Sequence, residues 1–100
     1  MLGNMFNKNM MEKMRVQLEE IKVKLNNISV LGAADNIKVV ANGNRLLTSI
    51  DIDADFFKTA NKKQVEELIV LAANRALEQA ERVEKSEMSH AAMGMLPGLG

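Results

Sequence analysis

From Met11 onward the apolar positions Met11, Met14, Leu18, Ile21, Leu25 and Ile28 fall at alternating spacings of three and four. That is the a/d seam of an amphipathic helix. Asn26 and Asn27 offer a stop, and Asn4 or Asn7 a start. After Gly32 the period drops to two. Ile37, Val39 and Ala41 alternate with Lys38, Val40 and Asn42, then Leu46, Thr48, Ile50 and Ile52 alternate with Leu47, Ser49, Asp51 and Asp53, which predicts two strands. Asn42-Gly43 between them offers the left-handed backbone of a tight hairpin. An even loop sets Ile37, Val39 and Ala41 on one face with Leu46, Thr48 and Ile50, and turns Val40 and Leu47 to the other. Residues 28 to 31 add a third strand, because two strands alone are marginal. Asn61, with Gln64 three residues on, reads as a capping box and opens a second helix running to about Ser89. The stripe Val65, Leu68, Ile69, Ala72, Ala73, Ala76, Ala80 and Val83 is rich in Ala and suits close backbone packing. Gly94, Pro97, Gly98 and Gly100 mark a loose tail.

The order α-β-β-β-α describes an α+β fold, a small antiparallel sheet flanked by two long helices, with one domain over residues 1–93 and a flexible tail over 94–100. Lengths add a constraint. A six-residue strand spans roughly 20 Å, whereas helices of these lengths reach about 36 and about 40 Å. Both helices overhang the sheet, so their free ends, with Met5, Met10, Met11 and Met88, project as an arm. One copy leaves the arm and one sheet face poorly covered. A homodimer is expected, meeting through Val39, Val40, Leu47 and Ile50 of the sheet and Leu68, Ala72 and Ala76 of the second helix.

Composition narrows the chemistry. The only aromatics are three Phe, which leaves aliphatic residues and eight Met to build the interior. Thirteen basic residues balance thirteen acidic ones, without the global excess that announces a nucleic-acid binder. The balance is uneven: residues 1–50 carry seven basic and four acidic groups and residues 51–100 six and nine, so the halves are +3 and −3. No Cys is present, which excludes disulfides, thiolate nucleophiles and Cys-based zinc sites. No apolar run approaches a membrane span and the start lacks a signal-peptide core, so a cytoplasmic protein is expected.

The α-β-β-β-α order, the turn "ANGN", the run "LTSIDID", the later "LIVLAANRALEQA" and the Met, Gly and Pro tail together resemble the YbaB/EbfC family of bacterial nucleoid-associated proteins. The resemblance covers essentially the whole chain. Its most specific pieces are "IKVVANGN" with "IDID" after it, and Asn74-Arg75-Ala76. One departure lies between Val30 and Val39, where many relatives are Gly-rich and this chain has "LGAADNIK". The resemblance implies a tweezer-shaped dimer with protruding helical arms. It also implies DNA binding with little sequence preference, at the nucleoid, in chromosome organisation and gene regulation.

DNA binding needs Lys and Arg on one accessible face. Lys8, Arg15 and Lys22 recur every seven residues on one flank of the first helix, and Lys13 and Lys24 add to it. Arg75, in the family-like segment, and Arg82 complete the candidate DNA contacts. The competing reading is a solvated, salt-paired helix: Glu12 precedes Arg15 and Glu19 precedes Lys22 by three, while Glu78 precedes Arg82 and Glu81 precedes Lys85 by four. Arg75 has a structural alternative at the sheet or dimer contact, and Arg45 reads as a solvated turn residue. With Asn9 and Gln17 the two amides between Lys8 and Lys22, the first helix suits backbone and groove shape more than base edges.

His90 is the single histidine, and Asp51, Asp53 and Asp55 lack the Gly and the distal Glu of a calcium loop, so they read as a strand end and a turn. No phosphate loop, nucleophile elbow or acid/base constellation appears, so no enzyme, metal, cofactor or small-molecule substrate is expected. The leading expectation is a homodimer on duplex DNA. Its rival, which zero net charge favours, is a protein-binding adaptor using Met-lined arms without direct DNA contact.

Overall fold

The structure, a computed structural model, describes residues 8–94. Its elements are α1 (Lys8–Asn26), β1 (Ser29–Ala34), β2 (Ile37–Asn42), β3 (Leu47–Ile52), α2 (Ala54–Thr59) and α3 (Lys62–Gly94). The expected α-β-β-β-α order is present, with β1 longer than foreseen and α3 running past Ser89 to Gly94. The added turn of helix, α2, starts where the Asp53 carboxylate accepts the Phe56 amide at 3.0 Å, an N-cap where only a turn was expected. Asn61 caps α3 as foreseen, its side-chain oxygen accepting the Gln64 amide at 2.8 Å. The proposed starts at Asn4 or Asn7, Met5, and residues 95–100 of the tail lie outside the described residues.

The three strands form one antiparallel sheet in the order β1-β2-β3. Ile37 faces Ile52 and Val39 faces Ile50, so Ile50 shares the face of Ile37 and Val39 as the alternation required. Beyond Val40 the register shifts and Leu47, not Thr48, stands opposite Ala41. An extra residue in β3 is the cause: Thr48 is passed over by the pairing, and its hydroxyl donates to the Val40 carbonyl at 3.2 Å. Leu47 therefore does not join Val40 on the second face.

The core lies between α3 and the strands β1 and β2. Ala34, Ile37, Val39, Ala41, Ala72 and Ala76 are buried there, with Val30, Phe56, Val65, Leu68 and Ile69 packed around them. A Cβ at Gly32 would fall 2.2 Å from the Ala72 carbonyl oxygen and 2.2 Å from the Ala76 nitrogen, so helix and strand backbones touch at this point. The Ala stripe of α3 is what permits the approach. β3 escapes this cover: Leu47 and Ile50 are 46% and 48% exposed. Nor does methionine build the interior as expected, since Met10, Met11, Met14, Met88 and Met93 are all exposed. Small residues bring the layers too close to leave gaps for long flexible side chains.

Two turns depart from the sequence reading in instructive ways. Between β1 and β2, Asp35 takes a positive φ of 48° in the place where the family's Gly-rich stretch would be permissive. In the second hairpin the left-handed residue is Arg45, at φ 63°, and neither Asn42 nor Gly43 takes that conformation. Gly43 is required by proximity instead. Its amide donates to the carbonyls of Leu25 at 2.8 Å and Ile28 at 3.0 Å, and a Cβ would lie 2.8 Å from the Leu25 oxygen. Asn42 is buried, its side-chain oxygen accepting the amides of Asn44 at 2.9 Å and Leu46 at 3.2 Å while its Nδ2 donates to Asn26 Oδ1 at 3.1 Å. Asn44 Nδ2 donates to the Lys22 carbonyl at 2.9 Å. The hairpin thus adds donors to the last turns of α1, where the Leu25 carbonyl also accepts the Ile28 amide at 3.2 Å.

From that anchor α1 runs beside the C-terminal half of α3. Ile21 and Leu25 of α1 and Ala80 of α3 are buried, the Gln17 amide donates to the Ala91 carbonyl at 3.4 Å, and Lys24 pairs with Glu87 at 2.8 Å. The α3 helix, 33 residues long, measures about 50 Å at 1.5 Å per residue. Overall extents are 69 × 23 × 19 Å, and a radius of gyration of 19.5 Å exceeds the about 13 Å of a compact 100-residue domain.

Two substitutions test these anchors. Gly32→Ala is expected to lower unfolding free energy by about 3 kcal/mol in urea titrations, since backbone atoms must yield. Asn42→Ala removes the buried side chain that ties Asn26, Asn44 and Leu46 together. A loss of about 2 kcal/mol is expected, with hydrogen exchange accelerated in the last turn of α1.

Candidate nucleic-acid interface

The arm carries the cations, and hydrogen bonds sort them into two groups. Arg15 is engaged twice on its own helix, with Glu12 one turn before and with Glu19 at 3.0 Å one turn after. The Glu12 hydrogen bond, and then the charge of Glu19, raise its pKa above the ordinary guanidinium value, so it is cationic throughout the working range. Glu19 therefore serves Arg15 and not Lys22, the partner that spacing suggested. Lys24 is tied to Glu87 on α3. Lys8, Lys13 and Lys22 remain exposed without an ion pair among the described residues.

On α3 the outcome is similarly divided. Arg75 Nη1 donates to the Ala33 carbonyl of β1 at 2.7 Å, which is the structural role weighed for it. Arg82 is exposed and does not take Glu78 as partner, whereas Lys85 does pair with Glu81 at 3.2 Å. Arg45 is not simply solvated: it reaches Glu84 at 3.4 Å and joins the hairpin to α3. Sequence spacing had no means of finding the Lys24–Glu87 and Arg45–Glu84 pairs, because both join distant segments. The asparagines of "ANGN" were the available signal for the hairpin's contact with α1.

An open groove of about 500 Å³ lies between α1, the hairpin tip and α3. Leu18, Ile21, Leu25 and Met88 line it together with Arg15 and Lys22. Glu19 and Glu84 stand on its rim beside Arg15 and Lys22, so the rim is of mixed charge and Lys22 is its cation without an ion pair among the described residues.

The residues expected at a dimer contact also divide. Val39, Ala72 and Ala76 are completely buried within the protomer, so they present no surface to a second copy and serve its own core. Leu68 is half-buried against that core and Val40 is half-buried, while Leu47 and Ile50 are open. Of the three aspartates, Asp53 caps α2 and Asp55 pairs with Lys58 at 3.7 Å. His90 is exposed near the end of α3. Among the described residues no cluster of three His, Asp or Glu side chains is placed to hold a metal, and no helix is long and apolar enough to cross a membrane.

A nucleoid-associated protein of Thermoanaerobacter pseudethanolicus is 33% identical over 91 residues, covering 90% of this chain and 80% of that protein. One of Clostridium kluyveri is 32% identical over 101 residues, covering 97% and 89%, and one of Ruminiclostridium cellulolyticum is 34% identical over 104, covering 97% and 89%. The model of the YbaB/EbfC DNA-binding family matches residues 2–95, and the chain belongs to that family.

Proposed function

We propose that this protein binds duplex DNA as a homodimer, with little dependence on sequence, and serves in nucleoid organisation and gene regulation. The family and the relatives named nucleoid-associated proteins support the class of partner. The observation that carries the site is the state of α1: Lys8, Lys13 and Lys22 have no ion pair among the described residues, against Glu20 as the one carboxylate of that helix without one. Zero total charge does not forbid binding, because phosphates respond to local charge within roughly one Debye length, about 10 Å at 0.1 M salt. Arg82 adds an exposed cation on α3, Arg15 and Lys24 contribute at reduced strength, and Arg75 acts mainly by holding β1.

Dimerisation is proposed through β3. Arg75 covers part of the β1 edge by taking the Ala33 carbonyl, while β3 is exposed and has little cover from α3. An open edge strand with apolar side chains is a template for a second chain. Leu47 and Ile50 are then the residues a partner copy would cover.

A second reading, a Met-lined adaptor without DNA contact, draws support from the exposed methionines of the arm. Salt titration separates the two. Under the DNA reading, affinity falls steeply with salt, and replacing Lys8, Lys13 and Lys22 by Ala lowers the slope of log K against log salt by about 1 for each phosphate no longer neutralised. Arg15→Ala is expected to change it less. A folded protein with no affinity at low salt would favour the adaptor. For the dimer, Ile50→Glu is expected to yield a monomer in sedimentation with unchanged circular dichroism, and a persistent dimer would remove β3 from the interface.

A further inference from the structure

Every described methionine lies on the arm and every one is exposed, from Met88 at 43% to Met11 at 61%. Two of them face each other across the helix pair. Met14 of α1 and Met88 of α3 line one small cavity of about 120 Å³, with Leu18, Ile21 and Ala91. Toward the tip from Ile21, no α1 side chain is buried. The distal contact between the helices therefore rests on these partly covered thioethers and on the Gln17–Ala91 hydrogen bond at 3.4 Å.

We propose that Met14 and Met88 form an oxidation site that loosens the distal arm, with a peroxide as oxidant. The sulfur lone pair attacks one peroxide oxygen, the O–O bond breaks as the S–O bond forms, and the departing hydroxide takes the proton of the transferred oxygen and leaves as water. Sulfur is oxidised to the sulfoxide and the peroxide reduced to water, and a sulfoxide reductase reverses the change. The sulfoxide carries a strong dipole into a cavity whose lining side chains are apolar apart from the Gln17 amide, one N–H of which already donates to the Ala91 carbonyl. The sulfoxide turns toward the water that the exposed part of each side chain already reaches, and turning outward takes its thioether out of the contact that holds the helices together. The remaining anchors at Ile21, Leu25 and Lys24–Glu87 lie nearer the sheet and keep the base of the arm closed. Where the arm grips DNA, the same change would weaken that grip; this last consequence rests on the proposed DNA function, whereas the oxidation itself does not.

Hydrogen peroxide on the full chain, followed by peptide mass mapping and amide hydrogen exchange, tests the idea without DNA. Met14 and Met88 are expected to oxidise within about threefold of free methionine, and amides over residues 11–18 and 88–92 to exchange at least about fivefold faster afterwards, with β2 unchanged. The Met14→Leu/Met88→Leu variant, still oxidised at Met10, Met11 and Met93, is expected to show no such acceleration. Protection of Met14 and Met88 by more than about tenfold, no acceleration in the oxidised wild type, or equal acceleration in the double variant would each overturn the proposal.

Discussion

The contact of α3 with β1 at Gly32 governs the arrangement of everything else. With no Cβ on Gly32 and only methyl groups on Ala72 and Ala76, the helix backbone settles against the strand backbone. A helix held that close to β1 and β2 is too far to one side to shelter β3. The same Ala series continues to Ala80, where α3 leaves the sheet and receives α1. One stripe of small side chains therefore sets the core, leaves one strand open and begins the arm.

The hairpin then fixes the arm's direction from the other side. Gly43, Asn42 and Asn44 take hold of the last turn of α1, and Arg45 reaches Glu84 on α3. The Arg15, Lys24, Arg45 and Lys85 cations spend their charge within the protomer. A net charge of zero is consequently a poor guide to the surface. What matters is which charges have partners, and among the described residues of α1 those without an ion pair are mostly lysine.

Periodicity made α1, β2, β3 and α3 legible because each sets its apolar positions at its own period, even in β3, where those side chains stay largely open. The cap at Asn61 was legible for the same local reason. The N-cap at Asp53 was missed because three aspartates at spacing two read as a strand end, and only Asp53 meets the following amide. Gly43 was found but for the wrong reason, since close approach by a distant helix leaves no trace in a local turn pattern. Val39, Ala72 and Ala76 were expected at a dimer contact because an Ala-rich stripe says that something approaches closely without saying what. At the candidate site, spacing predicted a Glu12–Arg15 pair correctly and misassigned Glu19, for which the i+3 and i−4 neighbours compete.

Arg15 then has a use that does not require it to touch a phosphate. The half of α1 beyond Ile21 has no buried side chain to stabilise it, and a segment of that length is marginal as a helix by itself in water. Bridging Glu12 and Glu19, Arg15 spans two turns of that exposed half, each pair adding a small support that solvent and salt screen. The bridge keeps the segment a rod, and the rod holds Lys8 and Lys22 seven residues to either side of Arg15 on the same flank. Contacts with a phosphate backbone depend on the spacing of charges more than on the identity of any base. A stiffened helix carrying lysines without ion pairs meets that requirement while offering few amide side chains to base edges.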